Sequence, residues 1–470
     1  MNDMEPSNDS IPDFIKLQQI PVNYIQQVET DLLEPVVFNQ GTATGDGFAR
    51  FTLQNKGFLH SHSKVFVSLQ PEAGVNAGFT APHVGIGQVI QKAVLKIGNK
   101  VLNELDSWAG LHAVKSSLIS EEVNKEREAY TTGRWSSRKF QYNADTSADR
   151  DVNASAISLD TGIEQDDGND IEVPNWSKHD TDAKAECPVY QIDLSDLFPF
   201  LKVNQLPLYM INEPINIELH FQPTQKLRLQ IPSGDTTETT INIDRTELKF
   251  CADYIFYGAS DQMERYAAAN QDLSFSFVDY RVIERSVTSA QLNSGIIQNL
   301  GMANRMVSRV ISLFPRSRDT YNEATLLGQY VSVAPTLNAS GNYSEPTKYN
   351  IRYNDRFEFT SDIDNVARLF STFTESEGVP HLCRKDFSDE GIAGGYTSEI
   401  TLSTRTQSTE LEGKQFYLGT RLTNGRVGQR GLELHIEGGW SGGEVDLVRV
   451  YCEYMRVARL TGGFIEIFNA

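Results

Sequence analysis

The chain has 470 residues, with 42 Lys and Arg against 62 Asp and Glu, a formal net charge of −20. Its length exceeds what one hydrophobic core supports, so two domains of roughly 200 residues each are expected. The negative balance argues against tight binding to a phosphate backbone without a locally basic arm, and the longest basic cluster, Arg134, Arg138 and Lys139, reads as ordinary surface charge.

The chain opens MNDMEPSNDS, which lacks the positive start and apolar core of a secretory signal. Residues 1–32 carry scattered apolar side chains (Ile11, Phe14, Ile15, Ile20, Tyr24, Ile25) and read as an arm that orders only against something else. A first β-domain is expected over 33–258, with an alternating run at Lys64 to Gln70. VLKIGNKV, Val94 to Val101, alternates around Gly98-Asn99, a pair that tolerates the positive φ of a two-residue hairpin turn. DSWAGLHAVKSSLISEE follows, with Trp108, Leu111, Val114 and Leu118 at helical spacing.

From 131 to 188 periodicity gives way to Asp, Asn, Ser, Thr and Gly, the composition of a disordered segment or a large acidic surface loop. INIELHF then sets Ile215, Ile217, Leu219 and Phe221 on one face and Asn216, Glu218 and His220 on the other. Such alternation means one buried and one wet face, as in antiparallel sandwiches rather than doubly wound parallel sheets. Leu248 to Tyr257 closes the first domain, and the helix-like GASDQMERYAAAN places a link at 259–271.

The second domain, 272–470, has strand patterns at Leu273 to Ile283, Val307 to Phe314, Gln415 to Leu422, LELHIE and Val445 to Val457, with polar loops around Ala334 to Thr347 and Phe387 to Thr397. Within it NIRYNDRF repeats the earlier hairpin at an offset of 256 residues, putting Leu95 on Ile351, Ile97 on Tyr353, Lys100 on Arg356 and Val101 on Phe357. DIDNVARLFSTFTESEG follows, with Ile363, Val366, Phe370 and Phe373 at helical spacing. A repeat at so long a period points to duplicated architecture, although strand-turn-strand-helix also arises by coincidence.

Cys187, Cys251, Cys383 and Cys452 lie far apart without a CxxC, which fits free thiols better than a disulfide framework or a zinc site. Sequons at Asn8, Asn153, Asn175, Asn338 and Asn342 matter only in a secretory lumen. No segment has the ~18 uninterrupted apolar residues of a membrane span.

Motifs with chemical meaning fail on context. GWSGG, Gly439 to Gly443, fits a nucleophile elbow with Ser441, yet strands flank it on both sides and no histidine follows His435, so it reads as a hairpin loop. His60-Ser61-His62 resembles a cupin metal pair without the nearby glutamate and reads as a solvated turn. His381 with Cys383 lacks a third partner. Glu164, Asp166, Asp167, Asn169 and Asp170 misplace the glycine and final glutamate of a calcium loop. Gly85 and Gly87 lack the third glycine of a dinucleotide site. The expectation is therefore no catalytic, cofactor-binding or metal residue, no cofactor, and a protein that is not an enzyme.

Val189 to Phe221, VYQIDLSDLFPFLKVNQLPLYMINEPINIELHF, resembles the late part of the first roll in double jelly-roll major capsid proteins of DNA viruses, especially those of virophages and polinton-like viruses. TELKFCADYIFYGASDQMERYAA, Thr246 to Ala268, is similar to the strand and helical link between the rolls of that family, VRVYCEYMRVARLTGGFIEI, Val448 to Ile467, to its closing strands, and Val36 to Gln70 to its opening ones. The resemblance implies an all-β fold of two tandem eight-stranded antiparallel jelly-roll sandwiches with short helices in the connecting loops. It further implies a homotrimer forming a pseudo-hexameric capsomer in an icosahedral virion shell, made in the host cytoplasm or a viral factory. Its partners would be itself, neighbouring capsomers, and penton and minor capsid proteins, with no direct sequence-specific nucleic-acid binding. The acidic loop would then lie in an outer crown and the arm on the inner side. Competing readings are a glycan-binding or attachment protein using Trp135, Trp176 or Tyr343, a β-sandwich hydrolase with paired carboxylates about 5–9.5 Å apart, and a transient capsid-like scaffold.

Overall fold

A computed structural model of the chain describes residues 25–42, 45–71, 77–79, 85–117, 131–132, 139–141, 189–203, 205–223, 241–257, 267, 272–313, 348–364, 368, 371–372, 375–376, 417–423, 425–437 and 447–469. The first part runs β1 (Ile25–Leu33), β2 (Val37–Asn39), β3 (Gly47–Leu53), β4 (Phe58–Leu59), β5 (Lys64–Val67), β6 (Leu69–Pro71), β7 (Ala77–Phe79), β8 (Ile90–Ile97), β9 (Lys100–Asp106), helix α1 (Trp108–Ser117) and β10 (Lys139–Gln141). Then come β11 (Tyr190–Asp193), the one-turn helices α2 (Leu194–Leu197) and α3 (Phe200–Val203), β12 (Leu206–Pro207), β13 (Ile215–Phe221), β14 (Ile241–Ile243) and β15 (Lys249–Tyr257). The second part runs β16 (Asp272–Ser286), α4 (Ser289–Ser294), β17 (Ile296–Gly301), β18 (Val307–Leu313), β19 (Lys348–Tyr353), β20 (Arg356–Phe357), β21 (Tyr417–Arg421), β22 (Leu432–Glu437), β23 (Leu447–Thr461) and β24 (Phe464–Asn469).

Strand pairing reveals the duplication. In the first part, β1 lies on one side of β15; β4 and β5 lie end to end on the other, with β12 and β11 beyond them. The facing sheet has the order β3-β13-β8-β9, with β2 added outside β3. In the second part the sheets are β16-β23-β18-β21 and β17-β22-β19-β20. Counting eight strand positions along each part, one sheet reads first-eighth-third-sixth and the other second-seventh-fourth-fifth, in both halves. All the ladders are antiparallel, and the nested order is that of a jelly roll. The fold is thus all-β, two jelly rolls in tandem with short helices between strands.

The repeated hairpin occupies the fourth and fifth positions of each roll. Ile97 pairs with Lys100 across a two-residue turn in which Gly98 has φ +57°, and Tyr353 pairs with Arg356 across Asn354 and Asp355, at φ +51° and +60°. The glycine-first turn and the doubly positive turn are two solutions to one problem, since both match the right-handed twist of the flanking strands. Alternation makes the sandwiches: β22 buries Leu432, Leu434 and Ile436 and leaves the intervening residues half-buried.

Several expectations need correction. All of β1 but Leu33 falls inside the expected arm, 1–32, yet the strand orders against β15 of its own chain, so the arm reading extends no further than residue 24. Ile363 forms an isolated antiparallel β-bridge to Tyr349 and is buried in the second core, rather than starting a helix. Arg368, Ser371, Thr372, Glu375 and Ser376 are helical. Glu218, on the expected wet face of β13, is only 3% exposed because Arg50 and Lys96 close over it from β3 and β8. The link 259–271 apart from Ala267, and the acidic stretch 131–188 apart from 131–132 and 139–141, lie outside the described residues.

Candidate assembly surface

His60 and His62 sit in the break between β4 and β5 with rings stacked at 4.9 Å; the backbone N–H of His62 donates to His60 Nδ1 at 3.1 Å. Burial and the neighbouring His62 hold the His60 imidazole below its usual range. The break is fixed by Ser63, whose hydroxyl donates to the His60 carbonyl at 2.8 Å and accepts from the Asp253 N–H at 3.0 Å. Gly85 and Gly87 lie in a short 3-10 turn, Gly85–Val89. Among the described residues no three His, Cys, Asp or Glu side chains are grouped as a metal would require, and no helix is long and apolar enough to cross a membrane. Cys251 and Cys452 are free thiols, and burial pushes Cys452 up to about 12, far from a nucleophile's range. Ser441, His381, Cys383, the 164–170 cluster, Arg134, Arg138, Trp135, Trp176, Tyr343, Cys187 and the five sequons lie outside the described residues.

What the described residues do build is a seam between the rolls. β16 and β23 are 15 residues each, about 50 Å of extended chain, and they serve both rolls. Val448, Val450, Cys452 and Tyr454 belong to the core of the second roll, while Leu273, Phe275, Phe277, Tyr280, Tyr451, Ala458 and Leu460 belong to the core that fills the first. Phe200 of α3 meets Phe275 and Phe277 with ring centroids at 5.2 and 5.3 Å. Helix α1 lies over Tyr451 and Leu313, so closely that a Cβ added at Gly110 would stand 2.5 Å from the Tyr451 hydroxyl.

A polar network sets the register of this contact. Asp279, 2% exposed, accepts from Asn103 Nδ2 of β9 at 2.7 Å, from Arg456 Nη1 at 2.8 Å and from the Tyr454 hydroxyl at 3.2 Å. Arg456 Nη1 also donates to the Leu102 carbonyl, at 3.3 Å. Burial pushes the Asp279 carboxyl above its usual range, with Arg456 pulling the other way. Nearby, the Tyr451 hydroxyl donates to the Ser107 carbonyl at 2.6 Å, Ser107 donates to Glu284 at 3.0 Å, and Arg449 pairs with Glu284 at 2.5 Å. At the far end Lys100 Nζ donates to the Ile465 carbonyl at 2.5 Å, and the Asn212 N–H to the Gly463 carbonyl at 2.9 Å. A buried ion pair contributes a net stabilisation near zero, whereas each buried Phe or Leu contributes about 1.5–3 kcal/mol. Apolar packing therefore holds the rolls together, and the Asp279 network selects one alignment.

Two edge strands, β1 of the first roll and β20 of the second, present exposed apolar side chains. On the first roll the outer face of the β1-β15-β4 sheet carries a separate, buried apolar cluster, Phe58, Ile255 and Tyr257 with Tyr209 against it, and beside it on β1 Val28 and Leu32 are 55% and 57% exposed. On the second roll the edge strand β20 presents Arg356 and Phe357, the latter 48% exposed and edge-on to His435 at 5.1 Å. Sequence pattern did not single out Asn103, Asp279, Tyr451 or Arg456. The one signal was their setting: polar residues inside long apolar strands that a single sandwich has no use for.

Neither a family model nor a curated protein matches the sequence. Among solved structures the chain is similar to one from the Sputnik virophage, at 9% identity over 100% of this chain and 93% of that one with a TM-score of 0.53. It is also similar to the mavirus major capsid protein, at 9% identity over 97% and 96% with a TM-score of 0.52. A third similar structure is PBCV-1 VP54, at 9% identity over 96% and 99% with a TM-score of 0.50. The double jelly roll expected from the quoted segments is the fold these proteins share with it.

Proposed function

We propose that this protein is a major capsid protein of a DNA virus, the repeating block of a virion shell, and that its work is geometric rather than catalytic. The observation carrying the reading is the seam: two rolls of identical strand order are locked face to edge in one chain. Similarity to solved capsid proteins supports it. Three such chains would set six like rolls around one axis, a pseudo-hexameric capsomer suited to tiling an icosahedral surface. Closed sandwiches favour this use because few strand edges are left to polymerise without control. Neighbouring capsomers, pentons and minor capsid proteins are the further partners this role requires. The formal charge of −20 fits a shell that makes no sequence-specific contact with nucleic acid.

Native mass measurement of the purified chain, followed by negative-stain microscopy, tests the reading. Trimers of hexagonal outline are expected. A chain that stays monomeric at high concentration, or a soluble form that binds glycans and never assembles, overturns it.

A further inference from the structure

We propose that the seam between the rolls contains a binding site for one ordered water molecule, held between Asn103 Oδ1 of the first roll and Arg456 Nε of the second. The site lies inside a single chain and stands whether or not that chain builds a shell.

It begins with an irregularity in β9. Leu95 pairs with Asn103 and Lys96 with Val101, so Leu102 is an extra residue with no partner on β8. A bulge of this kind re-aims the side chains beside it. Leu102 and Asn103, neighbours that would face opposite ways in a regular strand, are both fully buried. The bulge thus delivers the Asn103 amide and the Leu102 carbonyl to the second roll, where Asp279 and Arg456 receive them.

Asp279 has no capacity to spare. Its Oδ1 accepts from Asn103 Nδ2 at 2.7 Å and from the Tyr280 N–H at 3.0 Å, and its Oδ2 from Arg456 Nη1 at 2.8 Å and the Tyr454 hydroxyl at 3.2 Å. Those donors fill the roughly four lone-pair sites of a carboxylate. Two buried atoms beside it have no protein partner: Asn103 Oδ1, an acceptor, and Arg456 Nε, a donor. They are complementary in sense, and both belong to side chains bound to the same carboxylate. Exchanging the oxygen and nitrogen of Asn103 gives no relief, because it sets the amide oxygen against the Asp279 carboxylate at 2.7 Å.

Charge selects the ligand. A cation would meet the Arg456 guanidinium, an anion would meet the Asp279 carboxylate, and an apolar group would serve neither atom. Water is neutral, small, and both donor and acceptor. It donates to Asn103 Oδ1, accepts from Arg456 Nε, and has a second hydrogen for the free lone pair of the Leu102 carbonyl, making the three bonds typical of a buried water. The polar part of the seam is therefore wet, beside the dry packing of Phe200 on Phe275 and Phe277.

Cryo-electron microscopy or crystallography of the full chain, at a resolution that shows waters, tests the site. A density peak about 2.7–3.2 Å from both Asn103 Oδ1 and Arg456 Nε is expected. X-ray hydroxyl-radical footprinting supplies a solution readout, because radicals born from a bound water oxidise the buried side chains next to it. Phe277 is 2% exposed, with its ring centroid 5.8 Å from the Arg456 guanidinium, and is expected to be labelled in the wild type. Asn103→Leu removes the acceptor while Asp279 keeps its other donors, and should cut that labelling by about tenfold. Where it does not fold, Arg456→Lys removes the Nε donor, keeps a cation for Asp279 and should have the same effect; where neither folds, the wild-type density decides alone. The site is overturned by an empty position, by a peak with the contacts of an ion, by Oδ1 and Nε bonded to each other or to other protein groups, or by Phe277 labelling that neither variant changes.

Discussion

Gly110 puts the seam to a test of sign. It lies in α1, where replacing Gly by Ala in a helix interior ordinarily stabilises by about 1 kcal/mol. Here the new methyl would stand 2.5 Å from the Tyr451 hydroxyl and 3.2 Å from Leu313 Cδ1, both on the second roll. Tyr451 is fully buried and its hydroxyl is tied to the Ser107 carbonyl at 2.6 Å, so it cannot swing aside without losing that bond. Overpacking costs about 1–3 kcal/mol, the broken hydrogen bond about 1 kcal/mol, and the helix gain offsets about 1 kcal/mol. Gly110→Ala is therefore expected to destabilise by about 1–3 kcal/mol net. Tyr451→Phe removes the clashing atom and leaves the ring carbon Cζ at an ordinary 3.5 Å. The double variant should thus be more stable than the sum of the singles by about 1 kcal/mol or more. Urea denaturation at fixed protein concentration reads the cycle, and Trp108, buried two residues away and stacked on His112 at 4.5 Å, supplies a local fluorescence signal. A stabilised Gly110→Ala, or additive singles, would refute the packing of α1 on the second roll.

Asn354→Ala should destabilise by about 1–3 kcal/mol, since Asn354 holds a positive φ, donates to the Arg426 carbonyl at 2.8 Å and accepts from the Gly428 N–H at 2.6 Å; thermal melting checks it. His60 and His220 both have pKa values lowered chiefly by burial, so the folded chain binds fewer protons than the unfolded one. Stability from these groups is present above the ordinary value of 6.5 and lost as pH falls through the lowered folded values; melting at pH 7.5 and pH 5.5 should show the drop, and His60→Asn with His220→Asn should shrink it. Asp279 acts in the opposite sense, its raised pKa favouring the folded state as acid protonates it down to the ordinary value of 3.8; Asp279→Asn should remove that rise from the melting profile as pH falls toward 3.8. Cys452, pushed up to about 12, should resist iodoacetamide in the folded chain and react only in denaturant, as peptide mapping by mass will read.

The sandwiches were legible because alternation at β13 and β22 reports a sheet with one buried face, and the hairpin repeat because Gly98 and Asn354-Asp355 are residues that positive φ selects. β1 was missed because IQQVETDLL pairs along a sheet edge with Val28 and Leu32 outward and Glu29 and Asp31 bridged to Lys56, so its apolar residues do not mark a buried face. The seam was not legible because its signal is non-local. Asn103 and Asp279 are 176 residues apart, and nothing in either strand alone distinguishes a polar group that faces water from one that faces a second roll.

The length of β23 sets a timetable for synthesis. Residues 447–469 supply the eighth strand of the second roll and also the partners of β9 and Asn212, and a ribosome delivers them after every other described residue. Until they emerge, Asp279 lacks Arg456 and the flank of the first roll lies bare. A nascent or prematurely stopped chain consequently has neither a finished second roll nor a fixed angle between the two. Completion of translation thereby sets when the two rolls acquire a fixed angle.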